Sequence, residues 1–556
     1  MQPAIPIDAT ANGAQQLVDA LARLGVKQVF GLPGVHNLPI WDVIASTDIR
    51  MVGVHHEQTA AYAADGFARA TGQLGVAVVT TGPGAANTLA AVGEAWASGS
   101  PVMIIATDIS TTLRRDGVYR GVLHETRDQQ AMFEPVVKAA WTVSSADDIA
   151  STIEAASVVA LTAPTGPVYV GVPTDLLAAP ANAREVRSPS ANTTSAPMDA
   201  VARAASLLNT ATRPLIWAGG GALRSGAGEA IGELASLIAA PVVTTWSSRG
   251  LLPPDHPCLV AGPIHAPEAA VLWDEADVVL AIGTDFDGMM TQNWLQPAPR
   301  TLIAINVDAT DASKNYAAEL TLVGDATAVT TQLIRAVSIV DDDRRAALAA
   351  RLGGIGVASQ RRIDAEEPHA AALVDVMGRV LPDDAVVVVD MCIAGYWYGG
   401  YGRVKQPRGL AYPMGWGTLG FAFPASIGAA LSGRGRAVCI AGDGGFLFAC
   451  GELATLAREQ PPVTVIIVDD NGYGMLRYDQ QHAGTSTRGV DWPSPDFVAM
   501  AQAFTIDAAC VDGFGDDFEK HLTAFIDAPG PNVLVVKAAM QPPCTTSPRW
   551  YRKRPA

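Results

Sequence analysis

The chain has 556 residues, which is enough for roughly three domains. Hydrophobic residues make up 49% of it and charged residues 17%, a balance that excludes an intrinsically disordered chain. The net charge of −17 argues against general binding of nucleic acid, because phosphate contacts need concentrated positive charge. The six cysteines lack CxxC spacing, and there is neither a signal-like start nor an apolar run approaching about 18 residues. We therefore expect a cytoplasmic protein that does not bind or cross a membrane.

Short apolar runs recur along the chain and end at Gly, Pro or Asp, with Ala-rich helical stretches between them. The runs are continuously apolar and do not alternate with polar residues. Strands buried on both faces and joined by helices form parallel sheets, so the pattern predicts an α/β protein. The predicted strands lie within 76–84, 101–108, 167–173, 214–221, 241–246, 277–285, 302–308, 385–390, 437–443, 463–470 and 532–538.

Two segments divide this series of strands. Residues 179–197 are polar and rich in Pro and Ser, as is typical of a linker, and a weaker boundary lies at 359–369. We predict three doubly wound parallel-sheet domains, followed by a basic tail. Their bounds are 1–180, 198–345 and 365–545, with the tail at 546–556. Such tails are usually solvated, and the alternative is a lid over an active site or a contact for a diphosphate or CoA group.

Two turns rich in Gly and Asp follow buried strands in the third predicted domain. Asp443 ends one strand and Asp470 ends the next, 27 residues later. Two carboxylates at adjacent strand ends suit Mg²⁺, which takes few protein ligands together with phosphate oxygens and water. Each Asp alone could instead cap the following helix. The pair at this spacing favours a site for Mg²⁺ and a diphosphate.

Five motifs, in order along nearly the whole chain, resemble the thiamine-diphosphate enzymes, in the acetolactate synthase, benzoylformate decarboxylase and benzaldehyde lyase group. They are VFGLPGVHNLPIWD (29–42), HHEQTAAYAADGFARATG (55–72), TTGPGAANTL (80–89), GTLGFAFPASIGAAL (417–431) and the two Asp turns. The resemblance implies a pyrimidine-binding N-terminal domain, a central domain and a diphosphate-binding C-terminal domain. It also implies a homodimer or homotetramer with active sites between subunits.

The resemblance assigns cofactor contacts residue by residue. The cofactor-binding set would be Gly417, Leu419, Gly442, Asp443, Gly444, Gly445, Asp470, Gly472, Tyr473, Gly474 and Met475. The metal would be held by Asp443, Asp470 and the backbone carbonyl of Gly472. Asp470 stands where the family usually has Asn, so we expect a tightly held cation and weaker affinity for the diphosphate.

Glu57 is the candidate catalytic acid. Its position before a helix would also suit an acid that stabilises the helix dipole. The resemblance instead implies that it hydrogen-bonds the aminopyrimidine ring of the cofactor and so starts the reaction. By the same comparison Leu419 would support the bent shape of the cofactor and the Gly417 backbone would accept a hydrogen bond from its amino group. The plain alternative for Leu419 is a core residue.

The substrate end carries a weaker signal. The loop containing Val35 and His36 is similar to the loop at the reacting centre of benzaldehyde lyase, and His124 matches a substrate-side position there. Histidines suit proton transfer near neutral pH, and either one could instead be a structural hydrogen-bonding group. Thr80 stands where benzoylformate decarboxylase has a histidine, which disfavours a simple decarboxylase.

The central domain contains a glycine turn at 218–228, a weak dinucleotide signal. Asp285 stands where flavin-binding acetolactate synthases have Arg, which argues against FAD, whereas ADP stays open. We expect a carboligase acting on 2-oxo acids such as pyruvate. The alternatives are a 2-hydroxyacyl-CoA or 2-hydroxyketone lyase and, in another class, a non-catalytic regulatory subunit that binds the cofactor.

Overall fold

Three parallel β-sheets with helical connections form the computed structural model, which describes residues 11–115, 117–182 and 194–544. The α/β prediction with three doubly wound parallel-sheet domains is confirmed. Each strand that the sequence predicts is present, trimmed at its ends. Within the described residues no helix is both long enough and apolar enough to cross a membrane.

The strands fall into three groups along the chain. The first sheet contains β1 (Gln28–Gly31), β2 (Arg50–Gly53), β3 (Gly75–Val79), β4 (Val102–Asp108), β5 (Ala139–Thr142) and β6 (Val168–Pro173). The central sheet contains β7 (Pro214–Ala218), β8 (Val242–Thr244), β9 (Val278–Ile282), β10 (Leu302–Asn306) and β11 (Leu320–Val323). The third sheet contains β12 (Val386–Val389), β13 (Leu410–Ala411), β14 (Ala437–Gly442), β15 (Val463–Asp469), β16 (Asp507–Asp512) and β17 (Asn532–Lys537).

Helices connect these strands throughout the described residues. Those up to residue 238 are α1 (Gly13–Arg23), α2 (Leu38–Ile44), α3 (Glu57–Thr71), α4 (Pro83–Ala86), α5 (Leu89–Ala97), α6 (Ile149–Leu161), α7 (Thr174–Ala178), α8 (Met198–Thr210), α9 (Gly220–Ser225) and α10 (Gly228–Ile238). The later ones are α11 (Pro267–Glu275), α12 (Ala326–Ile334), α13 (Asp342–Glu366), α14 (Pro368–Val380), α15 (Ile393–Tyr401), α16 (Ala422–Ala430), α17 (Asp443–Leu447), α18 (Leu453–Glu459), α19 (Gly474–His482), α20 (Phe497–Ala503) and α21 (Asp516–Asp527). Short 3₁₀ turns occupy Gln130–Met132, Glu134–Val136, Ala146–Asp148, Trp246–Ser248 and Cys450–Glu452.

The first and third sheets have the same strand order. The first runs β2-β1-β3-β4-β6-β5 and the third runs β13-β12-β14-β15-β17-β16, while the central sheet runs β11-β10-β9-β7-β8. In each sheet the order reverses direction next to its first strand, and in the first and third sheets the last two strands are also exchanged, so that β5 and β16 lie at the edge. Ligands of open parallel sheets bind at the carboxyl ends of the strands that flank such a reversal. For the first sheet these strands are β1 and β3, and for the third they are β12 and β14.

The chain separates into two compact units. The first joins the described residues up to 182 with Trp416–Gly433 and Ala449–Pro461. In this unit α3 packs on α16 through small residues, because a side chain at Gly66 would overlap the backbone of Ala425 and one at Gly428 would overlap that of Ala63. The α3 helix begins after His56, whose ring accepts a hydrogen bond from the backbone N–H of Gln58.

The second unit contains Asn192–Gly415, Arg434–Phe448 and the residues from Pro462 onward, in so far as they are described. One hydrophobic core serves both of its sheets. Buried side chains of the central sheet and its helices, such as Trp217, Trp273 and Phe286, belong to the same cluster as Trp397 of α15 and Ile440 of β14. These two parts therefore fold against a shared apolar interior.

Several predicted segments lie at the limits of the described residues. Most of the linker predicted at 179–197 and the tail at 546–556 lie outside them. The boundary predicted at 359–369 falls where α13 ends and α14 begins. All six cysteines are described and unpaired, as their spacing predicts.

Candidate active site

Several candidate residues follow strands at or next to the reversal points of the first and third sheets. His36 follows β1 and Thr81 follows β3 in the first sheet. Asp443 directly follows β14 in the third sheet, and Asp470 directly follows the neighbouring β15. The first group belongs to the first compact unit and the second group to the second unit. Each group is therefore described separately.

Glu57 is the first residue of α3 and is 8% exposed. Its Oε2 accepts a hydrogen bond of 2.9 Å from Nδ2 of Asn87, which lies 30 residues later in the turn after α4. Its Oε1 is directed to Gly84, where an added Cβ would lie 3.4 Å away. One carboxylate oxygen of Glu57 thus accepts a hydrogen bond from the Asn87 amide. Because Gly84 has no side chain, the space beside the other oxygen is not filled.

His36 is joined to the first sheet by two buried hydroxyl groups. Its Nδ1 lies 2.8 Å from Oγ1 of Thr81, and that hydroxyl donates to Oγ1 of Thr107 at 2.9 Å. Both threonines are 0% exposed. Burial, followed by the nearby His124, lowers the pKa of His36. The imidazole is therefore mainly neutral near pH 7 and can accept a proton.

His124 lies beside His36, with ring centroids 5.2 Å apart in an edge-to-face arrangement. Its backbone is in the left-handed region at φ 67°, which is uncommon for a residue with a side chain. Gly82, itself at φ 64°, packs on it: an added Cβ would lie 2.6 Å from the carbonyl oxygen of His124. The Gly82 N–H donates to Oε1 of Gln129 at 2.7 Å. The glycine turn after β3 thus holds His124 close to His36.

The Gly417–Leu419 turn is anchored by a buried ion network. The N–H of Gly417 donates to Oε2 of Glu94 at 3.2 Å, and Arg69 pairs with Oε1 of Glu94 at 3.1 Å and with Asp65 at 2.7 Å. Asp65 and Glu94 are both 0% exposed. Burial raises the pKa of Glu94, and the charge of Arg69 opposes that rise. Leu419 is partly buried.

Asp443 is 1% exposed at the start of α17. Its Oδ2 accepts from the backbone N–H of Gly472 at 2.8 Å and lies 3.0 Å from Oγ of Ser494. Ser494 also lies 2.6 Å from Oδ1 of Asp469, whose other oxygen pairs with Lys537. Burial raises the pKa of Asp443. Hydrogen bonds thus join the two predicted metal turns.

Asp470 differs from Asp443 in having a cationic neighbour. Nη1 of Arg477 lies 3.3 Å from its Oδ2, and Nη2 of Arg477 donates to the carbonyls of Asp470 and Asn471 at 3.1 Å each. Nε of Arg477 also pairs with Asp491 at 2.5 Å. Burial and then the charge of Asp443 raise the pKa of Asp470 to about 6. Two carboxylates close enough to affect each other are a favourable setting for a cation.

The remaining predicted cofactor residues surround these turns. Gly472 is at φ 151°, and a Cβ on it would overlap the carbonyl of Val490, so the turn requires glycine. Gly444 packs on the ring of Tyr473, Gly445 faces Asp390, and Gly442 faces Cys392. Gly474 and Met475 begin α19. In the first unit Val35 is 75% exposed beside His36.

The donor chemistry fits the groups that the resemblance implies. Hard oxygen donors such as the carboxylates of Asp443 and Asp470 are of the kind that Mg²⁺ prefers. The described residues contain no cluster of three or more His, Cys, Asp or Glu side chains arranged for a metal. In the first unit, the buried Glu57 carboxylate suits an aminopyrimidine.

The central sheet does not fit FAD or ADP phosphates at its glycine turn. The N–H of Gly219 donates to Ile282 at 2.9 Å and that of Gly221 donates to Gly283 at 2.8 Å, so neither is free for a phosphate. Asp285 follows β9 and pairs with Lys314 at 2.7 Å.

Sequence reasoning missed several residues that the site uses. Asn87 contacts Glu57 from 30 positions away, and Glu94 contacts Gly417 from 323 positions away. Thr81 contacts His36 from 45 positions away and is bonded in turn to Thr107. Ser494 and Arg477 contact the metal turns from the 485–494 loop and from α19. Only Thr81 and Asn87, both within the quoted TTGPGAANTL motif, and Arg477, two residues after Met475, carried a local signal.

Comparisons with known proteins agree with this geometry. The three domains of the thiamine pyrophosphate enzymes match in order: the N-terminal TPP binding domain at residues 11–132, the central domain at 201–333 and the C-terminal TPP binding domain at 392–536. A probable 2-ketoarginine decarboxylase of Pseudomonas aeruginosa is 35% identical, with 89% of this chain and 88% of that protein covered. A probable acetolactate synthase large subunit of Methanocaldococcus jannaschii is 32% identical, with 89% and 87% covered.

A third relative extends the agreement. The acetolactate synthase isozyme 3 large subunit of Escherichia coli is 30% identical over 513 residues, with 89% of this chain and 88% of that protein covered. These matches span all three sheets and both groups of candidate residues. The chain therefore belongs to the thiamine-diphosphate-dependent enzymes of the acetolactate synthase group and is an enzyme of the lyase or transferase type.

Proposed function

We propose that this enzyme is a Mg²⁺-dependent carboligase that acts on a 2-oxo acid such as pyruvate. The observation that carries the proposal is the Glu57 carboxylate, buried at the start of α3 with one oxygen fixed by Asn87. The relatives support the substrate class: two are named as acetolactate synthases and one as a 2-ketoarginine decarboxylase. 2-Ketoarginine is also a 2-oxo acid, so one class of donor substrate covers both names.

Each group of residues has a defined task in this proposal. Thiamine diphosphate, when bound, supplies the nucleophile and electron sink for cleaving or forming a bond next to a carbonyl. Glu57 would hydrogen-bond the aminopyrimidine ring, and Asn87 orients its carboxylate. Asp443, Asp470 and the Gly472 carbonyl would hold Mg²⁺, and the surrounding glycines would admit the diphosphate. His36 and His124 move protons at the substrate.

The second candidate is a lyase acting on a 2-hydroxyacyl-CoA or a 2-hydroxyketone. The observation that favours it is the His36–His124 pair, with ring centroids 5.2 Å apart. Cleavage of such substrates begins with removal of a proton from a hydroxyl group, which a neutral imidazole can accept. The lowered pKa of His36 keeps it neutral at physiological pH.

The test is product analysis by NMR after incubation of the protein with thiamine diphosphate, Mg²⁺ and pyruvate. Acetolactate is the expected product, and Glu57→Gln is the matched inactive control. Acetaldehyde alone would indicate a decarboxylase, and 2-ketoarginine would then be the next substrate. Bound cofactor without consumption of either acid would refute the carboligase proposal and favour the lyase, to be tested with hydroxyketones and CoA thioesters.

Three further features stay predictions. We expect a homodimer or homotetramer, which light scattering on the purified protein measures directly. We expect a cytoplasmic location on the basis of cysteine use. The 546–556 tail has a basic and aromatic sequence in an acidic chain, and a lid or a contact for a diphosphate or CoA group is the alternative to a solvated tail.

A further inference from the structure

We infer that Thr81 and Thr107 fix the tautomer of His36, placing its proton on Nδ1 and leaving the lone pair of Nε2 as the reactive group. Thr81 is thereby a positioning residue, since it acts through His36. This deepens the proposed function, because the role of His36 at the substrate rests on that proposal. The tautomer itself follows from contacts within the first compact unit.

The hydrogen-bond chain has a direction. The geometry of the Thr81–Thr107 contact, 2.9 Å between the two Oγ1 atoms, is met with Thr81 as the donor. A threonine hydroxyl has one hydrogen, so once Thr81 donates to Thr107 its oxygen can only accept from His36. Nδ1 of His36 lies 2.8 Å from that oxygen and must then carry the proton.

Because both threonines are buried, the direction of their hydrogen bond determines which ring nitrogen of His36 carries the proton. Thr81 and Thr107 are both 0% exposed, so bulk water does not replace either partner. The opposite tautomer would place the lone pair of Nδ1 against a hydroxyl whose hydrogen is already committed. A buried polar group without its partner is strongly disfavoured, so we expect the Nδ1–H form to dominate by tenfold or more.

The surrounding residues hold the chain in place. Gln129 donates to the backbone carbonyl of Thr107 at 2.9 Å and accepts from the N–H of Gly82 at 2.7 Å. It thus connects the residue at one end of the chain to the glycine turn that begins directly after Thr81. The ends of β3 and β4 are fixed relative to each other by this amide, and the two hydroxyl groups stay aligned.

This tautomer restricts what neutral His36 can do to a substrate. Nε2 can accept a hydrogen bond or a proton, but it cannot donate one until the ring is protonated. In the cleavage direction the O–H bond of a substrate hydroxyl breaks, its electron pair stays on oxygen, and the proton forms an N–H bond at Nε2. In the ligation direction the imidazolium returns that proton to oxygen. Neutral His36 is therefore suited to accept a proton from a substrate hydroxyl group.

The test is the tautomer of His36 in protein prepared without cofactor or metal. Two-bond ¹H–¹⁵N correlation spectra of ¹⁵N-histidine-labelled protein at pH 8 distinguish protonated from unprotonated ring nitrogens. His36→Asn identifies the His36 signals among the nine histidines. We expect wild type and Thr81→Ser to show proton-bearing Nδ1. Thr81→Val, which keeps the shape but loses the hydroxyl, should lose that preference.

Steady-state kinetics of the Thr81 variants test the consequence of this tautomer for turnover. Thr81→Val should lower kcat by about 10- to 100-fold with little change in KM, and Thr81→Ser should restore kcat. A wild-type spectrum with the proton on Nε2 would overturn the inference, even if Thr81→Val failed to fold. Because the spectra need neither cofactor nor substrate, failure of the carboligase proposal would leave the tautomer assignment standing.

Discussion

Asp470→Asn is expected to stabilise the metal-free and cofactor-free protein at pH 7.5. Burial and the charge of Asp443 raise the pKa of Asp470 to about 6, from an ordinary value of 3.8. A rise of about two units corresponds to about 3 kcal/mol, and partial solvent screening reduces the expected gain to about 1–2 kcal/mol. Because the folded pKa exceeds the unfolded one, the gain is complete above pH 6. It shrinks as the pH falls from 6 towards 3.8.

Urea unfolding in the presence of a chelator, followed by tryptophan fluorescence at pH 7.5 and 4.5, measures this effect. Asp491→Asn is the matched control, since Asp491 pairs with the same Arg477 but has a side chain 53% exposed. Equal stability of Asp470→Asn and wild type at pH 7.5, or an equal gain at both pH values, would refute the reasoning. Adding Mg²⁺ alone should stabilise wild type more than the variant, because the carboxylate then binds the cation.

Three other predictions concern the catalytic unit and the tail. Glu57→Gln should reduce kcat by at least about 100-fold with an unchanged circular dichroism spectrum, and wild-type-like turnover would remove Glu57 from its role. Gly82→Ala should lower the free energy of unfolding by about 1–3 kcal/mol because its Cβ would overlap the backbone of His124. Gly25 is at φ 80° with open space around it, so Gly25→Ala should lower the free energy of unfolding by less in the same urea assay. Deletion of 546–556 should raise KM or lower turnover, whereas unchanged kinetics would exclude a lid.

The strands that the sequence predicted share one property: their interior positions are buried on both faces. The 437–443 run became β14, and five of its six residues are fully buried. The strands that were not predicted lack such a run. β2, β5, β11, β13 and β16 all lie at sheet edges, and β1 has a polar first residue. Edge strands have one open side, so their sequences need not be apolar.

The residues of the candidate site also divide into those that the sequence could predict and those that it could not. Glu57, Asp443 and Asp470 were predictable because each lies in a short motif at the end of a strand or the start of a helix. Their supporting partners were not, since the distance along the chain carries no information about contact in space. Glu94 meets Gly417 across 323 positions, and Thr107 meets Thr81 only because β3 and β4 are neighbours in the sheet. Topology, which follows from the whole chain, brings these groups together.

The structure also gives a reason against a nucleotide phosphate at the glycine turn of the central domain. The sequence shows a glycine turn and an acidic residue at Asp285, and both are compatible with several ligands. The structure adds that the N–H groups of Gly219 and Gly221 are engaged with the neighbouring turn. We therefore expect the purified protein to show no flavin absorbance, and a yellow protein would contradict this expectation.

The packing of α3 on α16 has a consequence for synthesis on the ribosome. The helix that begins with Glu57 emerges about 350 residues before its partner, which corresponds to roughly 20–70 s at ordinary translation rates. During that interval its Ala- and Gly-rich face has no partner from its own unit. The nascent N-terminal segment is therefore a natural client for a chaperone, and a fragment that stops at the first linker would lack the surface on which its catalytic helix rests.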